Sequence, residues 1–180
     1  MTLTSEMVEQ IAGWKATQDG FGRDDAQTRI RIEAIIDELN SSKTFGCHLL
    51  EDDGISNYYL LFSFVVADVL SFELTRNVLG VLIYLSACGP VGVAGRSARC
   101  VAPLLSYHHP LKIEDVIDAQ HPVDALETAT VKVIHRAGYE LLTAAVAGAP
   151  LLSHIKPYGY PAESGWNEDC VFGALFNWMD

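Results

Sequence analysis

From Val78 to Ala87 the chain reads VLGVLIYLSA, apolar on both sides of a two-residue period. A strand of that kind has no polar face to give to water, so other elements must cover both its sides. The run lies within nineteen uncharged residues between Arg76 and Arg96, a length that would cross a bilayer as a helix. Gly80, Gly89, Pro90, Gly92 and Gly95 break such a helix, and Asn77 and Ser86 add polar groups. A buried central strand ending in a turn is therefore expected, and no membrane span.

Cover for that strand is available on either side of it in the chain. Met7, Val8, Ile11 and Trp14 recur at helical spacing, with Glu6 and Glu9 near the start, where the helix dipole favours acids. Gly20-Phe21-Gly22 interrupts. Asp24 then stands three residues before Gln27, a capping-box arrangement, and Ile32, Ile35, Ile36 and Leu39 form one stripe. Between about 44 and 105 the period shortens to that of strands. Thr44–Leu50 and Ser56–Val66 suit strands around an Asp53-Gly54 turn, and Leu70, Phe72 and Leu74 alternate with polar residues. Ile113 to Asp118 reads as a short acidic turn or helix. Pro122 reads as the first residue of a helix carrying Val123, Leu126, Thr130, Val133, Ala137 and Leu141 on one face. Residues 156–168 form a Pro/Gly/aromatic loop, and the last segment from Val171 suits a helix, with a strand almost as good. The expected fold is one α+β domain over 1–180: a mostly antiparallel sheet from the middle of the chain, packed by N-terminal and C-terminal helices.

Hydrophobic residues at 49% exclude a disordered chain. Twelve Lys+Arg against twenty-three Asp+Glu give a net charge of -11, which excludes a protein whose task is gripping a nucleic-acid backbone. MTLTSEMVEQ carries neither a cationic nor an apolar leader segment. Cys47, Cys88, Cys100 and Cys170 are spaced by 41, 12 and 70 residues with no C-x-x-C pair, as reduced, buried thiols are. A cytoplasmic location is expected.

Catalytic patterns are partial. Val81 to Gly92 resembles the strand and glycine turn of nucleotide-dependent dehydrogenases, with Glu114 twenty-two residues beyond Gly92 where a ribose-binding acid would stand. The glycine needed for the tight turn is Ala87, however, and Pro103 interrupts the helix that should follow. Cys47-His48, Cys88, Cys100 and His108-His109 lack the close ligand pairs of a zinc site, and His121, His135 and His154 are scattered. No G-x-S-x-G elbow occurs. The carboxylate pairs Asp52-Asp53, Glu114-Asp115 and Glu168-Asp169 fall in turns, where charge is solvated. No catalytic residue, metal or cofactor is assigned.

Charge distribution remains. From Asp37 to Glu73 seven acids face one base, Lys43. Glu51, Asp52 and Asp53 would project from a hairpin tip as a surface complementary to a basic partner, and Tyr158, Tyr160 and Trp166 would supply aromatic anchors. A small acidic α+β chain without catalytic motifs, closing on Val171-Phe172-Gly173-Ala174-Leu175-Phe176-Asn177-Trp178-Met179-Asp180, resembles the immunity proteins of polymorphic or contact-dependent bacterial toxin systems. The resemblance implies a non-enzymatic binder that blocks a cognate toxin, often a nuclease or other intracellular poison, and transfers no functional residue to a position here. A homodimer is compatible with the same reading. Two alternatives stay open: a small nucleotide-dependent enzyme using the Ala87–Gly92 turn, and a structural subunit of a larger complex.

Overall fold

The computed structural model describes residues 3–22, 25–51, 56–70, 76–101, 106–108, 111–157, 160–161 and 169–178. Along the chain come helices α1 (Ser5–Ala12) and α2 (Ala26–Ser41), strands β1 (Phe45–Glu51) and β2 (Tyr58–Val65), and the short helix α3 (Val66–Leu70). Strands β3 (Arg76–Ser86), β4 (Val91–Val101) and β5 (Ser106–His108) follow, then a 3₁₀ turn (Ile113–Asp115) and helix α4 (Ala125–Arg136). The last third holds β6 (Glu140–Leu141), α5 (Ala144–Ala147), β7 (Tyr160–Pro161), α6 (Val171–Leu175) and β8 (Asn177–Trp178). This is an α+β fold with the sheet drawn from the middle of the chain. No described helix is long and apolar enough to cross a membrane.

The sheet runs β1-β2-β3-β4-β5, every pair antiparallel. The doubly apolar run is its centre: β3 lies between β2 and β4. Leu82 and Tyr84 face one core, with Leu60 and Phe62 of β2 and Val91 and Val93 of β4. Val81, Ile83 and Leu85 face the other, with Tyr59, Leu61 and Ala94. Val8 and Ile11 of α1 and Phe172 and Leu175 of α6 cover the first face. Ile32, Ile35 and Leu39 of α2 and Leu126, Val133 and Ile134 of α4 cover the second. The far edge of β4 is occupied piecewise. Its first residues pair in parallel with β6, Gly95 bridges Val116, and Arg99–Val101 pairs with β5. At the opposite edge the Asn40 side chain donates to Cys47 O (3.2 Å) and accepts from Cys47 N (2.8 Å), as a neighbouring strand would.

Helix starts follow their caps. Thr4 Oγ1 accepts from Met7 N at 3.2 Å, which opens α1. Gly13 ends it, and Trp14, placed by its spacing on the helical stripe, instead turns out of the helix at φ 60°. Asp25 caps α2 by accepting from Gln27 N at 2.7 Å; Asp24, the expected cap, lies outside the described residues. The fourth helix begins later than Pro122 suggests. Asp124 accepts from Glu127 N at 2.8 Å, and Glu127 Oε2 accepts from Val123 N at 2.8 Å, a reciprocal cap that fixes the first turn at Ala125. Val123 is accordingly 72% exposed and takes no part in the buried stripe. Leu70 closes α3 and starts no strand, while Phe72 and Leu74 lie outside the described residues, as does the Asp53-Gly54 turn. After Val171 the two readings divide the segment between them: helix over Val171–Leu175, strand over Asn177–Trp178.

The Ala87-Cys88-Gly89-Pro90 turn joins two antiparallel strands and is buried throughout. Thr17 N donates to Cys88 O and Gly22 N to Ala87 O, each at 2.8 Å, so the α1–α2 connection seals it. A Cβ on Gly89 would meet Ile11 Cδ1 at 2.8 Å. A pyrophosphate loop needs exposed amides opening a helix; this turn opens β4.

Candidate functional site

On the α2/α4 face the sheet continues past the first turn of α4. The strip left uncovered is a groove of about 590 Å³ between β3, β4 and the start of α4. Its apolar floor includes Phe45, Val65, Val81 and Leu79. Leu79, on the central strand, is 72% exposed. Asp124, Leu126 and Glu127 form one wall, and Asp115 contributes from the 3₁₀ turn. That turn approaches closely because position 95 is glycine: a Cβ there would meet Asp115 O at 2.9 Å.

At the base of the wall Arg96 Nε stands 2.6 Å from Glu127 Oε1, with side-chain exposures of 45% and 1%. Burying an unpaired carboxylate is costly, and here both oxygens are answered. Oε2 takes the Val123 amide, and Oε1, which makes no well-angled hydrogen bond, is held by the guanidinium charge. One side chain thus caps α4 and anchors the cation beside it. The described lining residues include four carboxylates, Asp68, Asp115, Asp124 and Glu127, and the guanidinium of Arg96. Among the described lining residues there is no histidine or cysteine. Among the described residues no three His, Cys, Asp or Glu side chains gather as metal ligands do. An acidic trough with an apolar floor suits a cationic, amphipathic visitor.

A second, shallower cavity of about 520 Å³ includes Gln18, Gln120, His135 and Glu140 in its lining. Beside Gln120, His121 Nδ1 and Asp118 Oδ2 lie 2.8 Å apart. The hydrogen bond to His121, and then that from the Gln120 amide, hold the Asp118 carboxyl below its ordinary range.

The residues singled out for partner binding sit elsewhere. Glu51 ends β1 opposite Leu60, in the large sheet, and Tyr160 opens β7 opposite Trp178, in a separate two-stranded one. Asp52, Asp53, Tyr158 and Trp166 lie outside the described residues. Of the imagined zinc ligands, Cys47 packs in the α2/α4 core and Cys88 in the α1/α6 core, on opposite sides of the sheet. Burial pushes the Cys47 thiol up to about 12. His48 is exposed and packs on Phe64, 5.1 Å between rings. His109 lies outside the described residues, while Cys100 and His108 fall in β4 and β5.

Leu79, Arg96, Asp124 and Glu127 were not legible as a set. The cap pattern Asp124-x-x-Glu127 was there to be read, as was Arg96, the charge that ends the uncharged run. Comparison of the chain with protein-family models, curated proteins and solved structures gives no match.

Proposed function

We propose that the chain is a non-enzymatic, acidic protein-binding domain of the immunity type, which binds and neutralises a cognate toxin in the cytoplasm. The observation that carries this reading is the groove itself, an apolar floor with Leu79 exposed, whose described lining residues include four carboxylates and one guanidinium, on a chain of net charge -11. Such a surface attracts a basic protein and holds it by apolar contact once it arrives. The buried glycine turn, leading into a strand, favours a binder over a nucleotide-dependent enzyme.

The test is stoichiometric. The protein is captured with its partner from the native host by cross-linking, the partner is identified by mass spectrometry, and the purified partner's toxic activity is titrated with the protein. Activity is expected to fall to zero at a fixed molar ratio. Catalytic suppression at trace ratios would contradict the reading. So would a thermal shift with a nicotinamide or flavin dinucleotide, since ligand at a hundred times its dissociation constant adds about 2.7 kcal/mol.

A further inference from the structure

We infer that the groove between β3, β4 and the start of α4 is the docking site for a basic, amphipathic segment of the partner protein; this rests on the protein-binding reading above. Leu79 exposes 72% of its surface from the central strand, the position in a sheet with most opportunity for cover. Leu79, with the partly buried Phe45 and Val65 of the same lining, gives an incoming side chain apolar surface to bury. The sign of the visitor follows from the pairing. Glu127 and Arg96 neutralise one another at 2.6 Å, so Asp115 and Asp124 in the lining set the field. About 590 Å³ accommodates several side chains, more than a lone cation needs, and the carboxylates do not converge as metal ligands do. A second copy of the chain would bring its own net charge of -11 against these acids. A segment alternating Lys or Arg with an apolar residue meets both demands.

The probes are three short synthetic peptides of equal length, built from Lys and Leu, Lys and Ser, or Glu and Leu. Binding is measured by calorimetry at low and at physiological salt. The Lys/Leu peptide is expected to bind, with Lys/Ser weaker and Glu/Leu silent. Leu79→Ser, and separately the pair Asp115→Asn with Asp124→Asn, should each weaken it about tenfold or more. Asparagine still caps a helix, so α4 keeps its start. The control pair Glu33→Gln with Asp37→Asn removes the same charge from the exposed surface of α2 and should change binding less than about twofold. Equal losses in control and groove pairs would mean unspecific attraction and would overturn the inference. So would an unchanged affinity of Leu79→Ser, or a dimer in sedimentation that Leu79→Ser dissolves. If a captured partner binds the groove variants as tightly as wild type, the groove assignment falls while the protein-binding reading stands. If the peptide results hold but no partner inhibits stoichiometrically, the groove stands and the proposed function falls.

Discussion

On the α1/α6 face of the sheet, Tyr58 and Tyr84 meet Phe172 and Phe176 at ring separations of 5.2 to 6.3 Å. Phe172 and Phe176 in turn stand 5.0 Å apart. The α2/α4 face is built from the same strands, yet its cover is mostly aliphatic and includes a buried polar pair, Ser63 Oγ and Thr130 Oγ1, 2.9 Å apart. The larger difference lies in where the cover stops. Aromatic rings of α6 and its C-cap pack on the start of β2 and the end of β3, and Phe172 and Phe176 are fully buried. The fourth helix begins beside Leu79 in the groove, where the Asp124–Glu127 cap fixes its first turn.

The strongest way to break this contrast is to truncate one large apolar residue on each face. Phe172→Ala should cost about 3–5 kcal/mol in urea unfolding, as ring deletions from close-packed cores do. Leu79→Ala should cost less than about 0.5 kcal/mol. Similar losses at both positions would mean that the groove floor is part of the core.

Next in size is Glu127→Ala, expected to cost about 1–3 kcal/mol through the lost cap and the orphaned Val123 amide. The half-exposed Arg96 can turn to water, which keeps the loss below that of a fully buried pair. Glu127→Gln, which can still accept from Val123, should lose less. Thr130→Val should cost about 1–2 kcal/mol by leaving the Ser63 hydroxyl without its partner. Adding Ser63→Ala should recover most of that, a coupling visible in a double-mutant cycle.

The smallest effect belongs to Asp118. Its folded-state pKa lies below the unfolded value, so its contribution is present above the ordinary carboxylate range and lost as pH falls through the folded value. A carboxyl-carbon NMR titration should find Asp118 below a normal aspartate. His121→Ala should move it upward, because the largest cause is then gone.

The same physics sets what the sequence could reveal. Val78–Ala87 announced a doubly covered strand because the period of side chains along a strand is local, and β3 is central as expected. Local signals also placed α1 and α2. They misplaced the start of α4, where Pro122 and the Asp124–Glu127 cap compete for the same turn and the cap, with two hydrogen bonds, prevails. The groove was illegible for a different reason. Val65, Leu79, Arg96, Asp115 and Glu127 are brought together by strand pairing and by the docking of α4. Nothing in the sequence distinguishes Leu79 from Val81, its neighbour in the same apolar run, yet one is 72% exposed and the other 1%.

Photo-cross-linking tests most directly whether the open face is the working one. Replacing Leu79 with a benzophenone-bearing phenylalanine places the reactive ketone on the groove floor. The same replacement at Ile30, 54% exposed on α2, serves as the reference. With the captured partner bound, Leu79→benzoylphenylalanine should form a covalent adduct and Ile30→benzoylphenylalanine should not. Adducts from position 30, with none from 79, would contradict the account.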